Sequence, residues 1–159
     1  MISIKIDYLG LHPKSIPIIA RWHQNQWQAI SPHLTTQLRI ELYRSYRNSP
    51  SIPNCLLALK DDIAVGSASL VESDLETHLH LSPWLASVYV HSPYRRQGIA
   101  SQLIQQCIEN ARQAGLNTLY LFTPDQLTFY QARGWRLIES SLYHGEHIDI
   151  MAFDLNEKS

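Results

Sequence analysis

A chain of 159 residues, 45% hydrophobic and 17% charged, has the composition of a soluble globular protein and is long enough to bury roughly two-thirds of its unfolded surface in a single domain spanning 1–159. A formal net charge of −1 speaks against a general nucleic-acid or membrane-surface binder, because such proteins carry a marked basic excess. Cys55 and Cys107 are too few for a disulfide framework and lack metal-ligand spacing, no signal peptide opens the chain, and no apolar run nears the ~18 residues of a membrane span, so a cytoplasmic protein is expected.

Residues 2–6 alternate with period two and predict a first strand. Ser15 followed by Pro17 signals a helix start, and Ile16, Ile19, Ala20, His23, Trp27 and Ile30 recur at helical spacing down to the stop at Ser31-Pro32. A second helix is expected from Thr35 or Thr36, with Leu38, Leu42, Tyr43 and Tyr46 as its apolar side. Cys55 to Leu59 and Ile63 to Val71 read as a hairpin turned at Asp61-Asp62. The small residues Gly66, Ser67, Ala68 and Ser69 indicate that something packs close to the second strand. Residues 72–82 are polar and read as a loop. A strand over Pro83 to His91 is followed by a helix over Gln97 to Ala114, whose apolar stripe is Ile99, Leu103, Ile104, Cys107, Ile108 and Ala111. A strand at Thr118 to Phe122, a short helix ending at Gly134, and strands at Trp135 to Ile138 and Ile148 to Phe153 complete the chain. This order predicts an α/β (α+β) fold with a mixed, largely antiparallel sheet flanked by helices, and two late β-α-β units supplying a parallel element.

Two motifs carry chemistry. The first is Val88-Tyr89-Val90 followed by Arg95-Arg96-Gln97-Gly98-Ile99-Ala100. Strand, basic glycine loop and helix start together build an anion site, where backbone N–H groups converge at the positive end of the helix dipole. Gly98 and Ala100 let the backbone approach a ligand, and the arginines add charge and planar donors suited to phosphate oxygens. The pattern is neither a three-glycine dinucleotide fingerprint nor a P-loop, and by itself it is equally compatible with an ordinary helix entry bearing exposed arginines. The second motif is Phe129-Tyr130-Gln131-Ala132-Arg133-Gly134-Trp135. Tyr130 is either a core tyrosine with a surface hydroxyl or a phenol placed to protonate a leaving group such as a thiolate.

In order and combination, these motifs resemble the GNAT superfamily of N-acetyltransferases over most of the chain, from the hairpin at Cys55 to Phe153 and more loosely across the two N-terminal helices. The resemblance implies a GNAT-like sheet with a splayed central strand pair and acetyl-CoA as the acyl-donor co-substrate, with no metal. It implies that the backbone of Val88 and Val90, with Tyr89 between them, pairs with the pantetheine arm, and that amides from Arg96 to Ala100 cradle the pyrophosphate, helped by the charge of Arg95 or Arg96. Tyr130 then protonates the CoA thiolate or hydrogen-bonds its sulfur, and a strand amide near Val88 to Val90 holds the oxyanion. Two positions depart from the pattern. Thr123 stands where many relatives carry a cofactor-binding asparagine, and Trp84 stands where some histone-directed members carry a glutamate base.

A base is still needed for the incoming amine, and the candidates are Glu72, Asp74, Glu76, His78 and His80, against the alternative of a solvated acidic loop. A zinc site from His78, His80, His144 and His147 is disfavoured because no spacing enforces it. The family's acceptor pocket is shaped by the first two helices and the last hairpin, which makes Trp22, Tyr43, Tyr46, Tyr143, His144 and Glu146 pocket candidates and leaves Trp27 structural. The expected function is acetyl transfer from acetyl-CoA to a primary amine of a small molecule or peptide, with neither nucleic acid nor membrane as partner and a homodimer allowed. The competing expectation is a GNAT-fold module that binds CoA without catalysis.

Overall fold

The computed structural model describes residues 3–156. Among the described residues, seven strands form one sheet in the order β1-β2-β3-β4-β5-β7-β6: β1 Lys5–Tyr8, β2 Asn54–Lys60, β3 Ile63–Val71, β4 Trp84–Val90, β5 Thr118–Thr123, β6 Arg136–Tyr143 and β7 Glu146–Asp154. Four α-helices join them: α1 Ile16–Trp27, α2 Thr36–Arg44, α3 Ile99–Gln113 and α4 Leu127–Gln131. Every pairing is antiparallel except β4 with β5. The first strand starts later than the alternation predicts, and residue 2 lies outside the described residues. Only one of the two late β-α-β units puts its strands side by side, because β7 inserts between β5 and β6. No helix among the described residues is long and apolar enough to cross a membrane.

Period-two alternation in β2 explains the layering. Leu56 and Ala58 face one side and pack with Leu103, Cys107 and Ala111 of α3. Cys55, Leu57 and Leu59 face the other and pack with Ile16, Ile19 and Ala20 of α1 and Tyr43 of α2. A strand buried on both faces reads as a continuous apolar run, as Cys-Leu-Leu-Ala-Leu does. The stripe predicted for α3 is buried as expected, Cys107 included, and burial pushes the thiols of Cys55 and Cys107 well above the ordinary range.

Helix α2 departs from its predicted orientation. Thr35 caps it by accepting the N–H of Leu38 at 3.1 Å, but Leu38 and Leu42 are exposed, and the buried face is Arg39 and Tyr43, one turn apart. The turn of helix is rotated because a polar chain lies beneath it. Ser67 Oγ donates to the Ser87 carbonyl at 3.1 Å, so it accepts from His23 Nε2 at 2.8 Å; His23 Nδ1 then accepts from the Tyr43 hydroxyl at 2.8 Å, whose oxygen accepts from Arg39 Nη1 at 3.4 Å. Burial, helped by the charge of Arg39, holds the His23 imidazole neutral by lowering its pKa to about 3.

The small residues of β3 are there for close approach. A Cβ on Gly66 would lie 2.8 Å from the Tyr89 carbonyl oxygen and 3.3 Å from Leu103 Cδ1. Because the nearer neighbour is backbone, Gly66→Ala is expected to lower stability by about 1–3 kcal/mol, read as a lower urea midpoint with unchanged m-value; a neutral substitution would mean that β4 shifts freely.

Candidate active site

Strand β4 begins beside β5 and leaves it. The two pair at Trp84↔Tyr120, with Tyr120 N–H on the Pro83 carbonyl at 3.0 Å. On its other edge β4 stays with β3, but Ser87 and Val88 together oppose the single residue Ala68, and Ser87 takes φ +54°. This is a β-bulge, which bends the strand and increases its twist. A serine in the left-handed region costs roughly 1 kcal/mol, offset here by the bond from Ser67 to the Ser87 carbonyl. His91 N–H bonds to the Val65 carbonyl on the β3 side, so ladder alternation sends the groups of Tyr89 toward β3 and those of Val88 and Val90 toward the gap. The middle of the sheet therefore contains an open edge.

Past β4 a short 3-10 turn leads to Arg95, Arg96 and Gly98, then α3. Arg95 is not a free phosphate ligand: its Nε donates to the Val90 carbonyl at 2.7 Å and its guanidinium lies 5.6 Å from the Tyr89 ring centroid. Arg96 is exposed with φ +64°, and Gly98 precedes the helix at φ +80° with open space where a Cβ would stand. No side chain caps α3, whose leading amides are left for an anion. Arg133 completes this end. Its Nε donates to Ser101 Oγ at 3.1 Å, its Nη1 to the Phe129 carbonyl at 2.8 Å, and its guanidinium stacks 3.6 Å from the Phe129 ring centroid. Sequence inspection passes over Arg133; its spacing four residues after Phe129 on a helix is the signal that could have marked it.

These parts open onto one cavity of about 1430 Å³. Val88, Tyr89, Val90, Arg95, Arg96, Gly98, Ile99, Ala100 and Tyr130 all line it, whereas Gln97 does not. Tyr130 is 7% exposed, packed edge-on against Phe129 and Trp135, and burial pushes its phenol above the ordinary tyrosine range, further than the charge of Arg133 brings it back. Such a phenol keeps its proton and is available as a donor.

At the other end, the cavity is walled by Trp27, Ile30, Leu34, Arg39, Tyr43 and Tyr46 from the α1–α2 side, and by Glu72, Asp74 and Glu76 from the loop after β3. That loop is less solvated than its composition predicts. Leu75 is fully buried, and burial pushes the Asp74 carboxyl up to about 7 against the opposing influence of Arg39. The other base candidates separate. His78 bonds to Glu139 at 2.8 Å and Glu76 pairs with His144 at 3.1 Å, both near the surface. His147 pairs with Asp149, so the histidines serve different carboxylates, and among the described residues no group of three or more His, Cys, Asp or Glu is placed to hold a metal ion. Of the pocket tryptophans, Trp27 lines the cavity, while Trp22 is stacked on His91 at 4.3 Å outside the cavity wall, the reverse of the expectation. Tyr143 and Glu146 line the cavity and His144 does not.

The model of the acetyltransferase (GNAT) family matches residues 16–135, three-quarters of the chain. The chain belongs to the GNAT family. Its fold is similar to that of an N-acetyltransferase from Staphylococcus aureus Mu50 (TM-score 0.76, 16% identity, 97% of this chain and 99% of that one). It is also similar to yncA from Salmonella typhimurium, solved with its cofactor acetyl-CoA (TM-score 0.73, 14% identity, 99% and 96%), and to an aminoglycoside 6'-acetyltransferase type Ii (TM-score 0.74, 15% identity, 99% and 99%). A 55-residue stretch is 38% identical to the amino-acid acetyltransferase of Edwardsiella ictaluri (strain 93-146); it covers 35% of this chain and spans only 12% of that protein.

Within the GNAT frame, the two departures have structural explanations. Thr123 is turned to its own chain: its hydroxyl oxygen accepts the Gln126 amide at 3.0 Å and starts α4. Trp84 is fully buried with its indole N–H on the Leu81 carbonyl at 2.7 Å, so it fills the floor where β4 and β5 still pair. Among the carboxyls that line the cavity, Asp74, one loop earlier, is the one that burial shifts upward. Because its pKa is raised in the fold from an unfolded value near 3.8, the folded chain retains a proton that the unfolded chain releases, and stability falls as pH rises from about 4 to 7 and is flat above. Asp74→Asn should therefore raise the melting temperature at pH 8 by several degrees and much less at pH 4; a difference independent of pH would place Asp74 in water.

Proposed function

We propose that the protein is an N-acetyltransferase that moves the acetyl group of acetyl-CoA directly onto a primary amine, with Tyr130 as proton donor and Asp74 as base. The observation carrying this is that the Tyr130 phenol and the Asp74 carboxyl line the same cavity as the open edge of β4, with burial favouring the protonated form of each. The family model supports acetyl transfer as the class of reaction.

Acetyl-CoA supplies the activated thioester carbonyl, and the chain's residues do the rest. Val88 and Val90 offer backbone groups to the pantetheine amides as an added strand would. The amides from Arg96 to Ala100 and the positive end of α3 meet the pyrophosphate, with Arg96 and Arg133 as nearby charge and Arg95 bracing the strand end. A strand amide near Val88 to Val90 receives the charge that develops on the carbonyl oxygen. As the amine nitrogen attacks, the C–N bond forms and the C–S bond breaks. The nitrogen's surplus proton goes to Asp74, and the departing sulfur takes a proton, or a strong hydrogen bond, from Tyr130, which is replenished by water once the thiol leaves. The same function is proposed for a single domain, cytoplasmic, acting on a small-molecule or peptide amine. A CoA-binding module without catalysis would not need Asp74 in the cavity.

Tyr130→Phe is expected to keep acetyl-CoA affinity within about twofold by calorimetry and to lose about 10²-fold or more in kcat by thiol release. Unchanged turnover would remove the phenol from the reaction. For the wild type, kcat/KM should climb as pH rises through about 7, because only the ionised Asp74 accepts a proton, and this limb should vanish in Asp74→Asn along with most of the rate. A limb that persists in that variant would assign the base to another group. Acetyl-CoA binding with no thiol release from any amine would favour the non-catalytic module.

A further inference from the structure

The transfer chemistry leaves one group at the acceptor end unused. Arg39 is only 4% exposed, yet it lines the cavity. Its Nε donates to Gln24 Oε1 at 3.1 Å and its Nη1 to the Tyr43 hydroxyl at 3.4 Å, while Nη2 is closed off from solvent and has no hydrogen-bond partner among the described residues. A buried guanidinium with an idle N–H edge is costly to keep, and an apolar residue of similar size at this position on α2 would avoid that cost. The ligand that would satisfy it is an oxyanion, and the planar edge of a guanidinium matches a carboxylate.

The remaining charges narrow the choice. On the side of α1, α2 and the loop after β3, Glu72, Asp74, Glu76 and Glu146 line the cavity against Arg39 and Arg47, whereas Arg95, Arg96 and Arg133, with Asp125, line it toward α3 and α4. A bare anion would be repelled on its way to Arg39, whereas a molecule that brings its own ammonium group is drawn in by those carboxylates. Trp27, Ile30, Leu34 and Tyr46 supply apolar wall for the remainder. Resting on the acetyl-transfer function above, we propose that the acceptor is an amine that also carries a carboxylate, and that the guanidinium of Arg39 turns its idle Nη2 edge to this carboxylate while the amine faces Asp74. Arg39 is then a specificity-determining residue of the acceptor site.

The test uses the full chain with saturating acetyl-CoA and follows thiol release from a panel of L-amino acids and from the matched primary amide of each. The amide keeps the amine and removes only the anion. For the best pair, the wild type should prefer the acid by tenfold or more in kcat/KM. Arg39→Gln should bring that ratio close to one by raising the KM of the acid, with the KM for acetyl-CoA unchanged, and Arg39→Lys should retain part of the preference. Gln24→Ala, which loosens the same neighbourhood but leaves the guanidinium in place, should keep the ratio and so separates recognition from packing. Equal use of acid and amide by the wild type overturns the proposal, as does a preference that survives Arg39→Gln or, should that variant not fold, is undiminished in Arg39→Lys. If acetyl-CoA binds but no acid or amide releases thiol, the carboxylate-bearing acceptor is overturned while donor binding stands. If acetyl-CoA does not bind at all, the transfer function itself falls.

Discussion

A β-sheet tolerates an open edge at its rim but not in its middle, and the separation of β4 from β5 after Trp84 creates one there. The backbone groups of Val88 and Val90 are strong donors and acceptors in a protein interior otherwise built from paired strands and apolar side chains. Arg95 meets the Val90 carbonyl, and the remaining groups are met by water or by an extended ligand with amides of its own, for which the cavity beside them is large enough. Everything else in the site is arranged along this gap: α3 aims its leading amides at one end, α4 carries Tyr130 to its far wall, and the loop after β3 brings Asp74 to the other.

The gap is maintained by polar contacts rather than by apolar packing alone. The chain from Arg39 through Tyr43, His23 and Ser67 ends on the carbonyl of Ser87, the bulge residue. Each member donates in the same direction, so the line is fully oriented, and the neutral state of His23 keeps it so. A charged His23 would need Tyr43 to accept rather than donate, and the sequence of bonds would fail at that point. The helices of the acceptor side are thereby tied to the geometry of the donor strand, which links packing in α1 and α2 to the shape of the transfer site.

Much of this was legible in the chain because it follows from short-range rules. The run Val88-Tyr89-Val90, the glycine before α3 and the stripe from Ile99 to Ala111 obey strand and helix periodicity, and the family pattern is carried by contiguous residues. That the loop before α3 and Tyr130 lie on one cavity was accessible on that basis. What escaped depends on tertiary placement. Leu38 and Leu42 on α2 looked like core and Arg39 was passed over, because a buried arginine is improbable unless partners such as Gln24 and Tyr43 wait for it. Asp74 was one of several loop acids; it is half-buried where Glu72 and Glu76 are exposed, a difference set by tertiary placement. Trp27 and Trp22 exchanged expected roles because the face of α1 over the gap is set by where β4 bends, which no local pattern encodes.

Burial does different work on the two ends of the reaction. For Tyr130, desolvation raises an already high pKa and fixes the phenol as a donor at any working pH. For Asp74, the same penalty lifts a carboxyl that would be a poor base in water to about 7, which suits it to the role of base proposed above. Arg39 bounds this effect. Its charge works against the rise at Asp74 and keeps the carboxyl able to ionise near neutrality.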